Sequence, residues 1–267
     1  MVYTGLAVST AWRMAEYAHL NKAPIVEALI DFRVKSKGGL QPSDLQPIQE
    51  KLKDRYPTQK SIHQVKAEFS VNVGDGAAPE IPIRSTSASS SIGIRLDSVD
   101  GLRVLQAQIH GFTFSRLKPY DTWETLLEET KALWDLYVEV AAPVSLTRVA
   151  TRFINRLELP LPIPEFEEYL TRPPVVPNGI PELVSEFLSR IVAHDTASGA
   201  SVVVIQALET VVPGSNILPV LLDIDVFKQA NFDVNSNDYW ELLSGFRKLK
   251  NTAFFGSITE RTKELFL

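Results

Sequence analysis

Residues 106–134 read QAQIHGFTFSRLKPYDTWETLLEETKALW, and the change of period inside this stretch decides the fold class. Up to Leu117 the pattern belongs to a strand, and the whole run from Arg103 to Leu117 is expected as one long strand with Gln106, Gln108 and His110 on one face. From Trp123 the period turns helical. Trp123, Leu126, Leu127, Thr130, Leu133, Trp134, Tyr137 and Val138 recur every three or four residues as one broad apolar face. Pro119 helps to stop the strand, and Asp121 with Glu124 three residues on has capping-box spacing, worth about 1 kcal/mol. A strand that passes straight into an amphipathic helix places that helix on its own sheet.

Upstream, PIVEALIDFRV (24–34) alternates Ala28, Ile30, Phe32 and Val34 with Glu27, Leu29, Asp31 and Arg33, a half-buried strand. A short amphipathic helix follows, with Leu45, Ile48 and Leu52 on one face and Ser43 or Asp44 as its cap. SIHQVKAEFSVNV (61–73) reads as a strand with His63 on its apolar side, residues 74–91 as a mobile connection, and SIGIRLDS (91–98) as a strand that turns at Asp100-Gly101.

Downstream, SLTRVATRFINRLELP (145–160) is a strand, and a proline-rich passage leads to a short helix at ELVSEFLSRI (182–191). A hairpin turning at Ser198-Gly199, the strand ILPVLLDIDVF (217–227) and a terminal helix from about Asn237 complete the chain. Asp238, Trp240, Glu241, Leu242 and Leu243 echo Asp121, Trp123, Glu124, Leu126 and Leu127. The expected class is α+β: largely antiparallel curved sheets with helices on one face, two βαββ-like units in pseudo-repeat and a long C-terminal helix; a helix-grip arrangement is the second topology. The expected organisation is an extension at 1–22, a first α+β unit at 23–159, a proline-rich connection at 160–184 and a second unit at 185–267.

Composition narrows the chemistry. With 267 residues, 45% hydrophobic and 22% charged, the chain can bury a real core. No apolar run approaches the roughly 18 to 20 residues of a membrane span, and the start lacks the pattern of a secretory signal, so a cytoplasmic protein without membrane contact is expected. The absence of cysteine excludes thiol catalysis and thiolate metal sites. A net charge of −5 gives no global attraction to nucleic acid, so any such binding needs a local basic patch. The four histidines form no metal-ligand grouping, no phosphate loop, nucleophile elbow or dinucleotide fingerprint is present, and no cofactor is implied.

The sharpest local feature is basic. Arg148, Arg152 and Arg156 fall on one face of a strand, successive ones about 13 Å apart, and a row of guanidinium groups suits phosphate. Arg116 and Lys118 at the end of the focal strand are expected to extend the row, with Tyr120 as a stacking surface. The plain alternative is that the arginines pair across the sheet with Glu27, Asp31, Asp223 or Asp225. Asp223 and Asp225 share a strand face and are the weak candidates for metal ligands. Trp123, Trp134 and Trp240 read as packing, and His63 as a satisfied core residue.

The segments APIVEALIDFRV, FSRLKPYDTWETL, RFINRLELPLP, SRIVAHDTASGASVVVIQALE and LPVLLDIDVF occur in this order, and the chain carrying them resembles a sporadically distributed family of uncharacterised prokaryotic proteins of similar length. The resemblance runs from Ala23 to Phe266. It implies a scattered distribution linked to mobile elements and transfers no catalytic residue. The functional expectation is a non-enzymatic binding or interaction protein, a component of a mobile-element or defence system, with a protein partner or a second copy of itself. From other classes, the alternatives are a metal-dependent phosphodiester or nucleotide-processing enzyme and a nucleic-acid or phosphate binder using the arginine face.

Overall fold

The structure is a computed structural model that describes residues 20–68, 86–179 and 184–267. In chain order the elements are β1 (Ile25–Lys35), a 3-10 turn (Pro42–Leu45), α1 (Gln46–Leu52), β2 (Thr58–Glu68), β3 (Thr86–Asp97), β4 (Arg103–Gln108), β5 (Gly111–Leu117), α2 (Trp123–Ala141), β6 (Ser145–Pro160), a second 3-10 turn (Phe166–Glu168), β7 (Leu188–Asp195), β8 (Ala200–Leu208), β9 (Ile217–Phe232), α3 (Asp238–Ser257) and α4 (Glu260–Glu264). The strands form one antiparallel sheet in the order β2-β3-β4-β5-β1-β6-β9-β8-β7. The α+β class with a long C-terminal helix is therefore observed.

The chain path repeats. β1 lies at the centre, the chain runs out to β2 and returns strand by strand to β5 beside β1, and α2 follows; β6 lies at the centre, the chain runs out to β7 and returns to β9 beside β6, and α3 follows. Two strand-meander-helix paths thus share one sheet, joined along the antiparallel β1 and β6 pair. The alternation in β1 sends Ala28, Ile30 and Phe32 into a fully buried layer beneath the helices. Phe32 meets Trp134 of α2 at 4.6 Å and Tyr239 of α3 at 5.7 Å between ring centroids, so both long helices cover the same sheet face. The polar edges of this aromatic cluster are satisfied: the Trp134 indole donates to Tyr239 Oη at 3.1 Å, and Tyr239 donates onward to the Val234 carbonyl at 2.9 Å.

Several expectations are corrected. The run from Arg103 to Leu117 is two strands, because the chain reverses at Ile109 and His110 and Gln108 pairs with Gly111. Gly111, just after the turn, permits the close approach of β1: a Cβ there would sit 2.6 Å from the Phe32 carbonyl oxygen. His110 is in that turn, exposed. The helix expected at 182–191 is absent from its described part, where Leu188–Asp195 is strand β7. β3 starts at Thr86, inside the expected connection. His63 is exposed, since β2 is a sheet edge and its register shifts between Ile62 and His63. Residues 1–19 of the expected extension and 74–85 of the expected connection lie outside the described residues. The cap of α2 is Thr122, whose hydroxyl accepts from the Thr125 N–H at 3.1 Å. Asp121 instead pairs with Arg116 at 3.0 Å.

Trp134→Ala removes the ring on which Phe32, Phe112, Tyr137 and Tyr239 converge. Chemical denaturation is expected to show a loss of about 3–5 kcal/mol, against under about 1 kcal/mol for exposed Val175→Ala.

Candidate functional site

The face of the sheet opposite α2 and α3 carries Arg33, Arg148 and Arg152, and they are matched. Arg148 reaches diagonally to two strands at once, donating to Asp31 on β1 at 2.8 Å and to Asp225 on β9 at 2.6 Å. Arg33 closes on the other side of Asp31 at 2.9 Å. Arg152 donates from Nε to Asp223 at 2.8 Å and from a terminal nitrogen to the other oxygen, a two-point grip. Arg156 turns outward to Glu209 at 2.7 Å. Asp31 and Asp223 are each only 4% exposed, and a carboxylate so buried requires its cation.

Phe227 lies 4.5 Å under the Arg148 guanidinium. One acid is incompletely served: Asp225 Oδ1 is buried without a hydrogen bond, and burial raises its pKa, with Asp31 and Asp223 adding to the rise and Arg148 and Arg152 opposing it. Asp223 and Asp225 thus spend their charge on arginine. Among the described residues there is no group of three or more His, Asp or Glu placed to hold a metal ion.

The structure separates the residues that sequence reasoning placed in one row. Arg116 pairs in register with Ala28 and so points to the helix side, the face opposite Arg148 and Arg152. It lies buried under the start of α2, where its Nε and one terminal nitrogen make no hydrogen bond, the latter standing 3.9 Å from Asp100. Lys118 and Tyr120 run past it to a cleft. Arg156, although its head is tied to Glu209, lines the same cleft.

This cleft, of about 750 Å³, opens between the start of β1, the first turn of α2, the middle of β6, and α3 with the C-terminal residues. Its size is that of a pocket for a small organic ligand. Phe153 forms the floor, with Tyr120 edge-on at 5.6 Å and Trp123 stacked at 6.4 Å between centroids. Burial raises the Tyr120 phenol above its ordinary range, so it is a hydroxyl donor at neutral pH. Asn155 donates to the Leu222 carbonyl at 2.9 Å, which fixes its side chain in the wall.

Lys250 is the unusual group. Its ammonium sits 3.9 Å from the centroid of the Phe153 ring, half-buried, and among the described residues no carboxylate is within ion-pair distance. Arg247, one turn earlier on α3, is occupied by Glu124 at 2.7 Å and adds a like charge. Burial first and Arg247 second push the Lys250 amine down to about 7. Among the described residues, the cleft therefore holds a cation with no carboxylate partner above an aromatic floor.

Sequence reasoning missed Lys250 and Arg247. The signal was present: Leu243, Phe246, Lys250 and Phe254 are spaced by three and four, so Lys250 stands in the apolar stripe of α3. No protein-family model matches the chain, and no curated protein is significantly similar to it.

Two measurements check this site. Arg148→Ala leaves Asp31 and Asp225 facing each other without their shared cation and is expected to cost about 3 kcal/mol in chemical denaturation, with part recovered in Arg148→Met combined with Asp31→Asn. For Lys250 the folded chain binds fewer protons than the unfolded chain between about pH 7 and the ordinary 10.5, so folding stability rises with pH across that window. Lys250→Met is expected to be more stable than wild type at pH 6 by several kcal/mol, since each unit of the depression from 10.5 to about 7 is worth about 1.4 kcal/mol, and the gain is expected to fade by pH 10.5.

Proposed function

We propose that the protein is a non-enzymatic binding protein whose ligand is a small organic anion held in the cleft, with its apolar body on Phe153 and Tyr120 and its acid group served by Lys118 at the rim and Lys250 at the floor. The observation that carries this reading is Lys250, a half-buried amine that faces open volume with no carboxylate within ion-pair distance among the described residues. Leaving such a charge uncompensated costs stability, and an anionic ligand is the partner that offsets the cost. The resemblance described above supports placing the protein in a prokaryotic mobile-element or defence system. The arginine face supports the phosphate and nucleic-acid readings less well, since Arg148, Arg152 and Arg156 each meet an acidic side chain.

The test uses 4-methylbenzoate, a carboxylate on an apolar ring, as probe. Calorimetry at pH 7 is expected to give saturable one-to-one binding that weakens about tenfold in Lys250→Ala, the worth of one charge-assisted hydrogen bond. Arg152→Lys, on the opposite sheet face, is expected to leave the affinity unchanged. Absence of binding, or equal binding by Lys250→Ala, contradicts the reading.

A further inference from the structure

We propose that the cleft takes an anion that also carries an aldehyde or ketone, and that Lys250 holds this carbonyl covalently and reversibly as an imine. The proposal rests on the reading of the cleft as a ligand site and names the chemical class of the ligand, an oxo-acid.

The geometry is that of an amine placed to react. Lys250 Nζ lies over the face of Phe153, and Tyr120 meets the same ring edge-on, so a nucleophile and a hydroxyl donor flank one aromatic surface inside a 750 Å³ cleft. What a lysine needs for addition to a carbonyl is a free lone pair, and a carboxylate neighbour would hold the proton on it. The charged groups around Lys250 avoid that. On its own helix stands Arg247; at the start of α2 stand Asp121, paired with Arg116, and Glu124, paired with Arg247. On β6, Arg156 faces Glu158 and Glu209. Lys22 and Lys118 complete the lining with further positive charge. A desolvated amine beside a second cation is depressed toward neutrality, here to about 7.

The step balances without an external reagent. The Nζ lone pair forms a bond to the carbonyl carbon while the carbonyl oxygen takes up a proton, with Tyr120 as the nearby hydroxyl donor. The nitrogen returns one proton to Tyr120, leaving a carbinolamine; its lone pair then expels the oxygen, which takes the nitrogen's second proton by way of Tyr120 and leaves as water, giving a neutral C=N with Tyr120 restored. Addition of water reverses each bond change. The acid group of the ligand remains at Lys118, so one end is held by charge and the other by the imine.

The experiment treats the full-length protein with equimolar 4-formylbenzoate and cyanoborohydride, which reduces an imine to a stable secondary amine, and maps the label by peptide mass spectrometry. At pH 7 about half of the Lys250 amine is unprotonated, against under about 0.1% for an ordinary lysine. After allowance for the lower nucleophilicity of a weaker base, labelling at Lys250 is expected to be at least about tenfold faster than the mean of the exposed lysines, with a half-maximal rate near pH 7. Excess 4-methylbenzoate is expected to slow it. Lys250→Arg, shown to be folded by its circular dichroism, is expected to lose this label alone. Labelling of Lys250 no faster than that of exposed lysines, or an undiminished total in Lys250→Arg, overturns the proposal. If 4-methylbenzoate binds and Lys250 is not labelled preferentially, the imine falls and the cleft reading stands; if neither occurs, both fall.

Discussion

The grip of Arg148 on Asp31 and Asp225 is the interaction on which the middle of the sheet depends. β1 and β6 are where the two strand-meander-helix paths meet, and Arg148 ties β6 to both of its neighbours, β1 and β9. One face of these strands is sealed by helices and can be apolar. The other face holds charges that stand in low exposure, with Asp31 and Asp223 almost fully removed from water. Charges so placed are tolerated only in matched sets. Arg33, Arg148 and Arg152 supply three cations for Asp31, Asp223 and Asp225, so the set balances and its remaining orphan is one oxygen of Asp225.

That balance decides where function is sought. A neutralised ladder is a structural element first. β6 shows the division within two consecutive residues: Arg152 points to the ladder and meets Asp223, while Phe153 points to the helix side and forms the floor under Lys250. The same strand geometry that stiffens one face builds the cleft on the other. In the cleft the balance is absent. Lys250 has a ring beneath it, a guanidinium beside it and open volume before it, and its depressed basicity follows from that arrangement.

Much of the fold was legible because it is written in period. The alternation in 24–34 and the helical stripe from Trp123 to Val138 appear as β1 and α2 where the patterns place them. The missed reversal at Ile109 and His110 has no turn chemistry: neither residue has positive φ, and the enabling glycine comes after the turn, where its role is the close approach of the Phe32 backbone. The site was half legible. The arginines were visible as a row, and Asp31, Asp223 and Asp225, the partners of Arg148 and Arg152, stood among the alternatives, whereas Glu209, the partner of Arg156, did not; register alone tells that Arg116 faces the other way. Lys250 was hidden because a charged residue within an apolar stripe is easily passed over, and its missing partner is a three-dimensional fact.

Lys250 is, among the described residues, an amine without a carboxylate partner at the floor of the cleft. Nuclear magnetic resonance of protein labelled with 13C at lysine Cε, with Lys250 assigned by its loss in Lys250→Arg, measures this directly as a titration. A midpoint near pH 7 is expected for Lys250, apart from the remaining lysines. A midpoint above about 10, in the range of an ordinary exposed lysine, contradicts it.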